Sequence, residues 1–224
     1  MLGTVATHAP TRRLVARRLY RVIAGVVLAA VAVAAGLGLD YRAGSWPQRV
    51  DSAVDPRLVA QFGGRLGLVH ELADLGGAAP ILLITSALVI VTLGLGRGRG
   101  TVLAVLAPSA AVLITEGILK PLIGRIQLGQ AYPSGHATGF CAVAFVVVLL
   151  ALDQRPRRLS RPVQVIVCGA ALGLMAGVCV ALVAAQYHVA TDVIGGVCVA
   201  LVTVLTLAMV IDRVADQRSG LTHR

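Results

Sequence analysis

The sequence predicts an all-α integral membrane bundle of six transmembrane helices with both termini cytoplasmic. Three observations carry that prediction. Hydrophobic residues make up 57% of the 224-residue chain, charged residues 13%, and mean hydropathy is +0.86, which is more apolar surface than a soluble domain of this size can hide. Six stretches approach the roughly 20 mostly apolar residues that an α-helix needs to cross about 30 Å of hydrocarbon. Arginines cluster in alternate connections between those stretches. The chain reads as one membrane domain over 22–211, with a basic tail over 1–21 and a second tail over 212–224.

The first stretch, Val22 to Leu39, follows Arg12, Arg13, Arg17, Arg18 and Arg21. That order is signal-like, but the run is long and its end at Gly36-Leu37-Gly38-Leu39 has no small-residue cleavage pattern, so it reads as an uncleaved anchor. From Asp40 to Ala78 runs a polar connection in which Val54, Leu58, Val59, Phe62, Leu66 and Val69 recur at helical spacing, predicting an amphipathic helix on the outer interface. The second and third stretches, Ala79 to Leu95 and Val102 to Leu119, are joined through Arg97 and Arg99. The fourth and fifth, Ala137 to Leu152 and Val163 to Ala185, flank Arg155, Arg157, Arg158 and Arg161. The sixth, Val193 to Ile211, precedes Arg213 and Arg218.

By the positive-inside rule the arginine-bearing segments are cytoplasmic. The segments Asp40 to Ala78, Lys120 to His136 and Gln186 to Asp192 then face outward, which predicts a multi-pass protein of the cell membrane with its site on the extracytoplasmic side. Basic tails and loops lying against anionic headgroups account for the isoelectric point near 10.7, so no nucleic-acid partner is needed. Cys141, Cys168, Cys179 and Cys198 fall in apolar stretches without metal-ligand spacing and read as reduced, buried small residues.

The outward segments carry the chemistry. Lys120 is the only lysine among twenty basic side chains, and Arg125 follows it closely. In Pro133-Ser134-Gly135-His136, proline and glycine break the chain and Ser134 is a natural N-cap for the helix beyond. A helix N-terminus with a glycine presents unpaired N–H groups to an anion, a plausible phosphate cradle. His188 and Asp192 are four residues apart, so a helix beginning near Tyr187 would put them on one face. An aspartate on Nδ1–H leaves Nε2 free as a nucleophile, and a second histidine, His136, can protonate the leaving alkoxide and later activate water. Glu116, one turn before Lys120 in an apolar stretch, is expected to pair with it.

These residues resemble the signature of the type 2 phosphatidic acid phosphatases, integral membrane lipid phosphatases related to soluble bacterial acid phosphatases and vanadium haloperoxidases. Lys120, the whole Pro133-Ser134-Gly135-His136 motif, His188 and Asp192 match in order and predicted side. The resemblance implies His188 as nucleophile, Asp192 as its orienting partner and His136 as general acid. It also implies Lys120, Ser134 and the Gly135 amide as ligands of the phosphoryl oxygens, with neither metal nor cofactor. The implied activity is hydrolysis of a lipid phosphomonoester or diphosphate through a phosphohistidine. The partners implied are the lipid phosphate substrate and the surrounding membrane lipids. Sparse lysine beside abundant Arg, Ala, Gly and Val fits a GC-rich bacterial genome, which makes a polyprenyl phosphate of envelope synthesis one candidate beside a phosphatidate-like lipid.

The chain departs from the signature twice. Gln127-Leu128 stands where the family has Arg-Pro, and Ala181-Leu182 where it has Ser-Arg before the histidine. Deleting one preorganised transition-state donor costs about a hundred- to a thousandfold in rate. Arg125, Gln127, Gln186 or the outer-segment Arg42, Arg49, Arg57 and Arg65 are candidates to compensate. The alternative is a catalytically impaired relative that binds lipid headgroups or a membrane partner. A metal-dependent hydrolase built on His136, His188 and Asp192 is a third reading, disfavoured by the intact Pro-Ser-Gly-His context. A transporter fits less well, because the polar residues gather at one mouth.

Overall fold

The computed structural model describes residues 13–43, 46–124, 126–127, 130–152 and 159–221. Within them the chain forms α1 (Tyr20–Ala43), α2 (Trp46–Phe62), α3 (Leu66–Asp74), α4 (Ala78–Gly94) and α5 (Gly98–Leu113). A turn of π-helix, Ile114–Leu119, leads into the short α6 (Lys120–Ile123). The hairpin β1 (Ile126–Gln127) and β2 (Gln130–Ala131) follows, antiparallel with Ile126 opposite Ala131. The helices α7 (Gly135–Leu152), α8 (Arg161–Ala184) and α9 (Ala190–Leu221) complete the fold.

Five helical runs are long and apolar enough to cross a membrane: Arg17–Leu39, Gly98–Ile123, Gly135–Leu152, Arg161–Ala184 and Ala190–Arg218. The expected span over 79–95 is α4, which has 17 residues and is bent by 52° from the helical segment Gln48–Asp74 before it. The chain is therefore an all-α, multi-pass membrane protein with five candidate spans, or six with this bent pair. We read α2 as lying outside the hydrocarbon, since it carries Arg49, Asp51, Asp55 and Arg57.

Helix α7 is the central element, packed by α5, α8 and α9. Small side chains let these backbones approach: Ala104, Ala107 and Ala111 of α5, Ala142 of α7, and Ala200 and Ala208 of α9 are fully buried. Large apolar residues such as Leu28, Leu83, Ile90 and Val165 point outward instead, as a bundle solvated by lipid requires. The four cysteines are free thiols, with the Sγ atoms of Cys141 and Cys179 3.7 Å apart.

At the end of the bundle away from the motifs, Asp212 is wholly buried. It accepts hydrogen bonds from the backbone N–H groups of Leu14 and Val15, both at 2.9 Å, and pairs with Arg99 at 2.9 Å. Arg13 and Arg99 also pair with Asp216. The basic segment before α1 is thus folded onto the base of α9.

The segment between α1 and α4 forms two helices. Gly63-Gly64 interrupts the amphipathic run with a single 3-10 turn, Gly63–Arg65. Val54, Leu58, Phe62 and Val69 join the apolar cluster that holds Val178, Ala181 and Leu182 of α8, whereas Leu66 is left exposed. Much of the apolar stripe is therefore used on the bundle itself.

Candidate active site

Pro121 shapes the approach to Lys120. It has no N–H, and in a regular helix its ring would clash with the carbonyl of Gly117. The widened turn Ile114–Leu119 accommodates it and carries Glu116, and such turns recur at functional sites. Lys120 Nζ donates to both carboxylate oxygens of Glu116, at 2.6 and 2.8 Å, so the expected pair is present. The helix stops at Gly124, whose φ of 63° is the left-handed ending that glycine tolerates.

Ser134 starts α7 as the sequence implies. Its Oγ accepts the Ala137 N–H at 3.2 Å, and its carbonyl accepts both the N–H and the hydroxyl of Thr138. Ser134 is fully buried with its hydroxyl engaged in this cap. Its own N–H donates to the carbonyl of Asp192 at 3.0 Å, which ties the Pro-Ser-Gly-His loop to the last motif.

His188 precedes α9 and sits in the turn after α8; the helix begins at Ala190, later than the expected start near Tyr187. The backbone N–H groups of Tyr187 and His188 both donate to the carbonyl of Leu182, at 2.9 and 3.1 Å. His188 Nδ1 faces Asp192 Oδ2 at 3.7 Å, too long for a hydrogen bond, and Nδ1 is buried without a partner. The rings of His136 and His188 lie 5.7 Å apart, tilted by 56°. Tyr187 stands edge-on to His136 and donates from its hydroxyl to Asp74 at the end of α3, at 3.1 Å.

Val189 cannot cap α9 with its side chain, and α2 supplies the acceptors instead. Asp51 accepts the N–H and the hydroxyl of Thr191, each at 2.9 Å, and Asp55 accepts the Ala190 N–H at 3.1 Å. Burial pushes the Asp55 carboxyl up to about 6, opposed by the Ala190 hydrogen bond and reinforced by the charges of Asp51 and Asp192. Sequence reasoning missed this clamp. The spacing of Asp51 and Asp55, four apart on one helix face, was its only trace.

Gly195 and Gly196 bring α9 against the motif loop. A Cβ on Gly195 would lie 2.5 Å from the Tyr132 ring, and one on Gly196 would lie 2.7 Å from the Ser134 carbonyl. Tyr132 is almost fully buried there and donates to the carbonyl of Ala34 at 2.7 Å.

A cavity of about 1020 Å³ joins these groups. Its polar end is formed by Glu116, Lys120, Gly135, His136, Tyr187 and His188. Its apolar wall runs down α4 and α5 through Ile81, Leu82, Thr85, Pro108, Val112 and Leu113. Among the described residues Arg49, Arg57 and Gln186 do not line it, and Arg65 lines a separate pocket against α8. Arg125 lies outside the described residues, as does the side chain of Gln127. Leu182, where the family signature has arginine, is fully buried among apolar side chains. Among the described residues no three His, Cys, Asp or Glu side chains are grouped to hold a metal.

No curated protein and no solved structure matches the chain. A family model does, covering residues 81–215, more than half of the sequence and every motif above. With the histidine pair, Lys120 and the capped Ser-Gly-His turn on one cavity of an apolar helical bundle, the chain belongs to the PAP2 superfamily, whose members generally hydrolyse phosphate esters.

Proposed function

We propose that the protein is a lipid phosphatase that hydrolyses a phosphomonoester or diphosphate of a membrane lipid at the extracytoplasmic face, through a phosphohistidine. The observation that carries this reading is the continuity of the cavity. Its polar mouth holds His188, His136 and Lys120, and its apolar wall between α4 and α5 suits an acyl or prenyl tail. Arg13, Arg97, Arg99 and Arg213, at the other end of the bundle, support the sidedness.

In this mechanism His188 Nε2 attacks the terminal phosphorus while His136 gives its proton to the departing lipid oxygen, the alkoxide of a monoester or the phosphate of a diphosphate. His136 then takes a proton from water, which attacks the phosphohistidine and frees His188 and orthophosphate. Lys120 and the N–H groups at the start of α7 hold the phosphoryl oxygens. Asp192 steadies the imidazolium. Its 3.7 Å separation from Nδ1 closes to about 2.8 Å in the reacting complex, since catalytic hydrogen bonds tighten when substrate binds.

A catalytically impaired, lipid-binding relative is favoured by one observation, the burial of Leu182 in place of a phosphate-clamping arginine. Phosphate release from the purified, detergent-solubilised protein separates the two. The substrates are phosphatidic acid, phosphatidylglycerol phosphate and a polyprenyl diphosphate, with and without EDTA, beside His188→Ala. EDTA-resistant release that vanishes in the variant is expected; no release from folded protein would leave the binding reading.

A further inference from the structure

Glu116 has no part in the phosphatase mechanism, yet it lines the polar mouth beside Lys120 and Gly135. Both of its carboxylate oxygens are on Lys120 Nζ, and Oε1 also lies against Gly135: a Cβ there would come within 2.0 Å of Oε1 and 3.7 Å of Nζ. The carboxylate thus lies between the lysine and the start of α7, the two groups best suited to hold an anion. Lys120 is the only Lys or Arg among the described residues lining the cavity. The Glu116 side chain is 46% exposed, so it has room to turn away from Lys120. The π-helical turn that carries it keeps it on the same side as Lys120.

We propose that Glu116 sets the affinity threshold of the site: its carboxylate holds the place of phosphoryl oxygens in the free protein and must be displaced by the incoming phosphate, at a cost that an anion without a tail does not recover. A lipid phosphate displaces it with the help of a tail bound along α4 and α5. Orthophosphate brings no tail and competes poorly, so Glu116 closes again on Lys120 and expels it after hydrolysis. The identity of the anion rests on the phosphatase reading; the displacement itself does not require turnover.

The test is the binding of inorganic orthophosphate and of a short-chain phosphatidic acid, measured calorimetrically on the detergent-solubilised protein. Wild type is compared with Glu116→Gln, which keeps the size of the side chain and a hydrogen bond to Lys120, and with Glu116→Ala. The expected result is orthophosphate binding at least tenfold tighter in both variants, a comparable gain for the lipid, whose tail adds affinity that Glu116 does not touch, and loss of the orthophosphate gain when Lys120→Ala is added. Orthophosphate affinity that is unchanged or weaker in both variants overturns the proposal. A protein that shows the gain and yet releases no phosphate from any lipid would overturn the phosphatase reading alone.

Discussion

Asp51 and Thr191 are 140 residues apart in sequence and joined twice, because one carboxylate accepts both the backbone N–H and the hydroxyl of the threonine at 2.9 Å. The next residue is Asp192, so this buried contact sets the start of the helix that must present its carboxylate to His188. Asp51→Ala should cost about 1 to 3 kcal/mol of stability, as loss of a buried cap does. Through misplacement of Asp192 it should lower turnover by up to roughly a hundredfold. Thermal melting and lipid-phosphate release check the two effects, and a cycle with Thr191→Val should be strongly non-additive.

Asp55 gives the same clamp a pH dependence. Its folded-state value, raised to about 6, lies above the unfolded value of 3.8, so ionised Asp55 is disfavoured in the folded protein. This group's contribution to stability therefore improves as pH falls from about 6 toward 4, and is least favourable above 6. Asp55→Asn, which cannot ionise, should melt higher than wild type at pH 7.5 and converge with it near pH 4. Melting curves of the two proteins across that range decide it; a constant offset would contradict the assignment.

Reinstating the family's arginine by Leu182→Arg should fail to raise activity. Leu182 is fully buried with Val69 and Phe62 packed in the same apolar cluster, so a guanidinium there would be desolvated without a partner. The expected outcome is a melting temperature several degrees lower, with no gain in phosphate release.

The contrast between Leu182 and Ser134 shows what was legible in the sequence. Ser134 caps α7 within its own turn, so local chemistry announced the cap at the start of that helix. The apolar runs likewise announced the spans, because hydrocarbon solvates each helix separately. Contacts between distant segments had no such signal. The spacing of Asp51 and Asp55 does not say that α2 meets α9, and nothing local shows that the apolar stripe of α2 and α3 packs in the cluster that holds Leu182. The start of α9 moved to Ala190 because its first N–H groups are satisfied from α2 and not from a residue near Tyr187.

Gly195 is a further long-range contact with a clear test. A methyl group would lie 2.5 Å from the Tyr132 ring, which is held by the Ala34 carbonyl and cannot retreat freely. Gly195→Ala should destabilise by about 1 to 3 kcal/mol, as overpacking does. Adding Tyr132→Leu should recover part of that loss, and melting of the single and double variants measures the rescue.

The buried carboxylate of Asp212 sets an order of events in synthesis. Leu14 and Val15 donate to it across 198 and 197 residues of chain, so their bonds must wait until α9 has emerged and inserted. A segment made before the first span is therefore among the last to find its place. The Arg99–Asp212 pair likewise forms only when the final helix arrives, so the last span completes the base of the bundle.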